Sequence, residues 1–324
     1  MKAFGFSEYG APTVFQEIDK EIKDPKPDQV QIEVMAFGIN PYDILLRQGQ
    51  FKEIRPLKFP FVPGTDLVGQ VVKVGDEVTN FKVGDYVINY RPSGAYGERV
   101  NATADKVVKR PRTLSFLDAA SLPTPGIAAY NAWHHFADVK DGDVIGIAGV
   151  TGLVGSLLAQ MAKSQGHEVI GSASAANVEY AKWIGVDRFI AYDEEQDRSK
   201  FESSADVVFD ATLGGHDDGL SDSLVKPGGQ IVLIPNLKYD VKTPDVKVTH
   251  LIPGQGASNK EALEYWVELS KTWGVSIRVQ NILKFTREDV VKAHELIEAH
   301  HSGKTVIQIE RAHRTSFEGQ KHAD

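Results

Sequence analysis

Asp143 to Ser174, DVIGIAGVTGLVGSLLAQMAKSQGHEVIGSAS, constrains the fold more than any other stretch of the chain. An apolar run, Val144 to Ala148, enters a glycine turn, which opens an amphipathic run, Ser156 to Gln165, and then a second apolar run, Val169 to Ser174. The first run is too short and too apolar for a surface helix, so it reads as a strand buried on both faces of a parallel sheet. Gly152 and Gly155 stand three apart in the turn. In that spacing one glycine lets the backbone approach a phosphate and the next lets helix and strand pack closely. N–H groups left free at the helix start then face an anion. Val150 replaces the first glycine of the usual G-x-G-x-x-G, with Gly149 just before it. Strand, turn, helix and strand in succession favour a dinucleotide pyrophosphate over a ligand-free tight turn. Val150, Thr151, Gly152, Leu153, Val154 and Gly155 are the expected cradle.

A chain of 324 residues has room for about two domains, each with its own core. Its 42% hydrophobic and 25% charged residues are ordinary for a globular protein and exclude disordered and fibrous classes. A net charge of −8 without a Lys/Arg block argues against nucleic acid as the main partner. No apolar run reaches the roughly 18 residues of a membrane span and no signal core follows the start, so the expected location is cytoplasmic, with no membrane partner. The absence of cysteine removes disulfides, thiolate nucleophiles and cysteine-ligated zinc together.

The first part of the chain reads as an all-β or α+β unit, a compact barrel, with short β-branched segments Val30 to Ala36, Asp66 to Val74 and Tyr86 to Asn89 between Pro and Gly turns. From Leu117 the pattern changes to alternating helix and strand. Leu117 to Ala137 is expected to be helical with breaks at Pro123 and Pro125, and strands follow at Arg188 to Ala191, Val207 to Asp210 and Gln230 to Ile234. That rhythm is a doubly wound sheet. Helices are expected at Lys260 to Trp273 and Arg287 to His300, the latter opened by Thr286 with Asp289 three residues on. A last strand, Thr305 to Ile309, precedes a polar tail.

The chain to about Ile309 resembles the zinc-free quinone oxidoreductase (zeta-crystallin-like) branch of the medium-chain dehydrogenase/reductase superfamily. The segments that carry the resemblance begin with MKAFGFSEYGAP (Met1 to Pro12), GINPYDILLRQGQF (Gly38 to Phe51), FVPGTDLVGQVVKVG (Phe61 to Gly75), GDYV (Gly84 to Val87) and GAYGERV (Gly94 to Val100). They continue with DAASLPTPGIAAYNA (Asp118 to Ala132), the turn GVTGLVG, DVVFDATLGG (Asp206 to Gly215), VKPGGQIV (Val225 to Val232) and HSGKTVIQI (His301 to Ile309). The resemblance implies an α/β architecture in which a GroES-like β-barrel substrate domain, 1–121 and 257–311, is interrupted by a Rossmann-type doubly wound parallel sheet domain, 122–256. Residues 312–324 form the tail. The nicotinamide would lie in the cleft between the domains, and the molecule would be a homodimer.

Zinc-dependent members of the superfamily take catalytic ligands from a Cys and a Gly-His-Glu segment. The matching segment here is Gly64-Thr65-Asp66. The adjacent pairs His134-His135 and His300-His301 diverge on a helix instead of converging on an ion, so no metal site is expected. Without a Lewis acid, an activated acceptor is the easier substrate. A quinone or an α,β-unsaturated carbonyl takes hydride directly and spreads the charge onto oxygen, which needs orientation and one or two hydrogen-bond donors. Asn40 and Asp43 match residues that the family places near the nicotinamide; a helix-entry turn for Asn40-Pro41 and a first-turn charge for Asp43 are equally open. Leu45 stands where many relatives carry a tyrosine, leaving Tyr42 or Tyr90 as candidate donors. The family's Gly-Leu-Thr-Ala reads Gly126-Ile127-Ala128-Ala129, without the hydroxyl.

Val169 to Ser174 lacks the acid that usually binds a ribose 2′-OH, which permits a 2′-phosphate. Ser172, Ser174 and Asn177 are candidate phosphate partners, with Lys182 or Arg188 as a source of charge; a plain strand end and helix start is the alternative. By the resemblance Tyr192 closes the adenosine pocket, and Ala211 and Ile234, at two strand ends, complete the cofactor contacts. NADPH is favoured over NADH with modest discrimination. Two functions stay open: an NADPH-dependent reductase of quinones or enones, enoyl thioesters included, and an NADPH-binding sensor or structural protein with little turnover.

Overall fold

A computed structural model describes residues 1–90, 93–195, 198–215, 217–235, 238–299 and 303–310. The expected tail and the pair His300-His301 lie outside the described residues. The chain opens with β1 (Lys2–Gly5), β2 (Gln16–Asp19), β3 (Gln29–Gly38), α1 (Pro41–Arg47), β4 (Asp66–Val74), β5 (Tyr86–Tyr90), β6 (Arg99–Thr103), β7 (Val107–Lys109), α2 (Phe116–Ser121) and α3 (Pro123–Asn131). A second series follows: β8 (Val144–Ala148), α4 (Leu153–Ser164), β9 (Glu168–Ala173), α5 (Val178–Trp183), β10 (Arg188–Ala191), β11 (Ala205–Asp210), α6 (Leu220–Leu224), β12 (Val225–Leu233), β13 (Lys247–His250) and α7 (Asn259–Thr272). β14 (Val279–Lys284), α8 (Arg287–Glu298) and β15 (Lys304–Gln308) complete it. Contacts divide the chain into two compact units, Met1–Thr124 with the described residues from Arg278 onward, and Pro125–Ile277.

In the first unit β3 is the hub. One edge pairs with β4; on the other, Gln29 to Glu33 pair with β6 and Ala36 to Gly38 with β15, all antiparallel. Register shifts between Gln31 and Ile32 and between Val34 and Ala36 let the strand bend enough to serve three neighbours. The sheet runs β14-β15-β3-β4-β5-β7, and β1 and β2 form a separate antiparallel pair. Its core is aromatic: Tyr96 stacks on Phe37 (centroids 4.6 Å apart) and on Phe15 (5.9 Å), beside Phe4 and Phe6, all buried. Each such ring contributes about 1.5–3 kcal/mol by leaving water.

In the second unit six parallel strands lie in the order β10-β9-β8-β11-β12-β13. Numbered from β8 this is 3-2-1-4-5-6, the doubly wound order that reverses beside the first strand. One face buries Ile170, Ile190, Val208, Leu224 and Ile231; Trp133 stacks on Phe209 at 5.6 Å. Helix α7 packs in this unit: the buried Trp266 indole donates to Gly126 O at 2.7 Å and Tyr130 donates to Glu261 at 3.1 Å. Those bonds tie α7 to this unit, which runs to Ile277.

Local chemistry explains the differences from the expected elements. Pro125 does not break α3, because both prolines fall in the first turn, where no intrahelical N–H is needed. Helix α4 begins at Leu153, ahead of the expected Ser156, with Gly152 in extended conformation as its N-cap. Thr286 caps α8 by accepting from Asp289 N at 3.2 Å, while the Asp289 carboxylate accepts from Lys284 N at 2.8 Å. β13, KVTH, is a short partly exposed edge strand without an alternating pattern to betray it.

Gly149 has φ +73°, and a Cβ on Gly155 would lie 2.3 Å from Gly149 O, so this crossing of turn and helix admits no side chain. At Gly152 the same contact would be 3.2 Å. Gly155→Ala is therefore expected to lower the thermal midpoint by several degrees more than Gly152→Ala, compared by calorimetry; equal midpoints would show that the turn relaxes freely.

Candidate active site

The first unit holds a buried polar cluster at the junction of four chain segments. Lys304 opens β15 and Asp66 opens β4, and neither side chain is exposed at all. The Lys304 ammonium donates to Asn40 Oδ1 at 2.5 Å and to Asp66 Oδ2 at 3.3 Å. Asp66 also accepts from Thr124 N (3.1 Å), Thr124 Oγ1 (2.7 Å) and Thr65 Oγ1 (3.2 Å). Asn40 Nδ2 donates to Thr65 Oγ1 at 3.1 Å. The lysine stem passes over Gly38, where a Cβ would come within 2.5 Å of Lys304 Cε.

Asn40 is at the same time the N-cap of α1, and Asp43, three residues on, accepts from Asn40 N at 3.0 Å. The helix-entry geometry that the sequence permits for this pair is present, and it is what points the Asn40 amide inward. Asp43 is fully buried, and burial pushes its carboxyl from 3.8 up to about 7 against the opposing Asn40 N–H. Beyond it lies Tyr96, raised well above 10 by burial and by the Asp43 charge. Its hydroxyl is 3.0 Å from His294 Nε2, and burial with the Arg47 charge holds that imidazole well below 6.5. Arg47, also buried, donates to Gly10 O at 2.8 Å and pairs with Glu298.

Tyr42 lies on the other side of α1, half-buried against Phe51. Its hydroxyl accepts from Arg55, and both line a cavity of about 280 Å³ with Leu46, Phe61, Gly64, Thr65 and Ser93. Asn40 and Asp43 thus belong to the buried cluster and Tyr42 to the cavity, with Thr65 common to both. Tyr90, at the end of β5, pairs through its backbone with Asp66. Leu45 is 38% exposed. The sequence assigns no role to Lys304 or Thr124, and Thr65 enters it only as part of the Gly64-Thr65-Asp66 segment. The available signal is a lysine entering a final apolar strand.

In the second unit the expected cofactor residues gather at the carboxyl ends of the parallel strands. Val150, after β8, donates to Ser172 O on β9 at 2.9 Å; Ala211, after β11, donates to Ala148 O at 3.0 Å; Ile234, after β12, donates to Asp210 O at 3.0 Å. Thr151 and Gly152 lead into Leu153, Val154 and Gly155, whose first-turn N–H groups sit at the open end of α4. Ser174 Oγ accepts from Asn177 Nδ2 at 2.7 Å, so the two present one joint polar edge. Tyr192 is 61% exposed just beyond β10. The suggested cations lie elsewhere: Lys182 pairs with Glu179, and Arg188, at the opposite end of β10, donates to Lys200 O and stacks over Phe201. Asp193, to which the sequence assigns no role, accepts from Ala175 N at 2.7 Å beside Ser174.

Two family models match the chain, the alcohol dehydrogenase GroES-like domain over residues 26–112 and the zinc-binding dehydrogenase domain over 154–263. In that order they define a medium-chain dehydrogenase/reductase. A quinone oxidoreductase of Sus scrofa is 32% identical over 72% of this chain and 73% of its own. A 2-methylene-furan-3-one reductase of Solanum lycopersicum is 34% identical over 72% of this chain and 62% of its own. The structure of an Escherichia coli quinone oxidoreductase complexed with NADPH superposes with a TM-score of 0.80 at 25% identity, covering 95% of this chain and 100% of that one. The chain belongs to the quinone oxidoreductase branch of the medium-chain dehydrogenase/reductase superfamily.

Asp43 gives the first unit a pH signature. A carboxyl with a folded pKa near 7 and an unfolded value near 3.8 keeps its proton in the fold after the unfolded chain has lost it. Its contribution is full below about 3.8, falls as pH rises towards about 7 and is level above that. His294 works in the opposite sense, since a neutral buried imidazole loses stability as pH drops below 6.5. Asp43→Asn isolates the first effect while keeping an acceptor for Asn40 N. Its unfolding free energy relative to the parent is expected to rise from pH 4 to pH 7.5 by up to roughly 4 kcal/mol, measured by urea titration; parallel pH curves would place the Asp43 ionisation outside this interval.

Proposed function

We propose that the protein is an NADPH-dependent reductase that delivers hydride to quinones and α,β-unsaturated carbonyls without a metal. The observation that carries the metal-free part is the state of Asp66. It occupies the segment that supplies zinc ligands in other members, yet both its oxygens are bonded and its counter-charge is an ammonium, Lys304. With no cysteine in the chain, that donor set does not fit zinc. Among the described residues no group of three His, Cys, Asp or Glu side chains is placed to hold an ion.

The second unit fits a dinucleotide. The Gly149 to Gly155 turn brings backbone, not side chains, to the carboxyl edge at the switch point between β8 and β11, where a pyrophosphate is held by N–H groups. Ser172 lies one residue before the end of β9, Ser174 and Asn177 offer hydrogen bonds to a 2′-phosphate, and Tyr192 offers a ring to the adenosine; Ala211 and Ile234 floor the neighbouring strand ends. Asp193 opposes a 2′-phosphate by charge, so the preference for NADPH over NADH is modest. When bound, the cofactor supplies the hydride. Asn40, Tyr42 and Asp43 position the acceptor: Asp43 holds the Asn40 backbone, Asn40 orients the polar wall, and Tyr42 shapes the cavity. The names of the two relatives, a quinone oxidoreductase and a furanone reductase, support both acceptor classes. We place the enzyme in the cytoplasm as a homodimer acting on small molecules, with no nucleic-acid partner. No helix among the described residues is long and apolar enough to cross a membrane.

Initial rates of nicotinamide absorbance loss, with chelator present throughout, test this directly against ortho-quinones, para-quinones and short enones. Turnover insensitive to chelator and up to roughly tenfold faster with NADPH than NADH is expected, a tenfold ratio being ~1.4 kcal/mol of selectivity. Tight NADPH binding with no turnover across the panel would instead establish a binding or sensing role.

A further inference from the structure

Thr65 is the one member of the buried cluster that also borders the cavity: Lys304 and Asp66 are fully enclosed, whereas Thr65 is 8% exposed. Its hydroxyl has one proton and two acceptor positions. One acceptor position is filled by Asn40 Nδ2 at 3.1 Å, and Asn40 is itself held by the Lys304 ammonium at 2.5 Å. The proton has one partner within the cluster, Asp66 Oδ1, at 3.2 Å. A hydroxyl donating to a carboxylate normally closes to about 2.5–2.7 Å. The same oxygen already receives Thr124 Oγ1 at 2.7 Å. The Thr65 proton is therefore loosely committed, on a hydroxyl that accepts from an amide held by an ammonium, at the wall of a cavity that Tyr42, Leu46, Arg55, Phe61 and Ser93 also line.

We propose that Thr65 is a catalytic hydrogen-bond donor, turning its hydroxyl from Asp66 to the oxygen of a quinone or enone in this cavity, with Lys304 and Asn40 as positioning residues. The inference rests on the reductase reading above. As hydride reaches the acceptor carbon, the π electron pair moves to oxygen and makes an enolate or quinolate. Thr65 stabilises that charge without giving up its proton, and water protonates the product afterwards. No bond to Thr65 forms or breaks. Asp66 keeps Thr124 and Lys304 as partners when the hydroxyl turns, so the rotation leaves no buried carboxylate bare.

The cavity has competing donors in Arg55, Ser93 and Tyr42, of which the Tyr42 hydroxyl accepts from Arg55 and retains its own proton. The experiment compares Thr65→Val, Thr65→Ser and Tyr42→Phe in full-length protein, with acceptor kinetics and with binding of 4-nitrophenol to the NADP⁺-loaded enzyme. 4-Nitrophenol serves as the oxyanion probe, because absorbance reports its phenolate fraction. Thr65→Val is expected to lower kcat about 100-fold, the scale for loss of one oxyanion donor. NADPH affinity should stay unchanged, and the bound probe should shift towards the phenol. Thr65→Ser should retain kcat within about threefold and keep the phenolate. A Thr65→Val enzyme that keeps the parent kcat and probe spectrum overturns the proposal, and the same losses in Tyr42→Phe alone would move the role to Tyr42. If Thr65→Val does not fold, Thr65→Ala replaces it with the same two readouts. A parent enzyme without turnover would instead count against the reductase reading, and the probe would still report on Thr65.

Discussion

The Lys304 ammonium lies fully buried against the fully buried carboxylate of Asp66, and much of the first unit is arranged to keep both charges there. An enclosed ion loses several kcal/mol of hydration, which one opposite charge restores only when the remaining lone pairs and protons are also bonded. Here the bonding is shared out. Asp66 takes two donors from Thr124, at the start of α3, and one from Thr65; Lys304 takes Asn40, at the entrance of α1. The pair explains residue choices away from itself. Gly38 has no room for a side chain because the lysine stem and the Ala120 carbonyl both crowd it, and Asp43 holds the turn that presents Asn40.

The second unit was largely legible in the sequence because its function is written in backbone geometry. A glycine required by a 2.3 Å approach, and apolar runs required by burial on both faces, leave residue-type signatures, so Val144 to Ala148 and Arg188 to Ala191 are expected as strands with the bounds observed. Edges were less legible. β13 and β7 are short and carry little pattern, and the placement of α7 depends on one indole bonded to a carbonyl 140 residues away. The first unit's cluster was legible only in part. Asn40 and Asp43 lie in one continuous segment that a motif can capture. Their partners Thr65, Thr124 and Lys304 are distant in sequence and chemically ordinary, and the antiparallel pairing of β3 with β4 and β15 brings them together.

The cluster also shows what a carboxylate at this place in the fold requires of its neighbours. A carboxylate in the Gly64-Thr65-Asp66 segment has to be neutralised by something, and in this chain the neutralising group is a side chain of the protein itself. An ammonium on a four-carbon stem is a compact point charge with three donors, well suited to organising neutral polar neighbours. It arranges hydroxyl and amide groups, and through them it influences the wall of the cavity that Thr65 lines.

The route of the chain gives this arrangement a history in time. Asp66 and Lys304 are 238 residues apart, and the whole second unit lies between them. Synthesis from the N-terminus therefore exposes a carboxylate destined for burial long before its cation exists, and the second unit can close its core first. The barrel sheet waits for β15, the strand that brings both its missing edge and its missing charge. A ribosome-bound chain halted shortly before residue 304 would carry a finished dinucleotide fold attached to an open half-barrel, which makes the last described strand the clasp of the molecule.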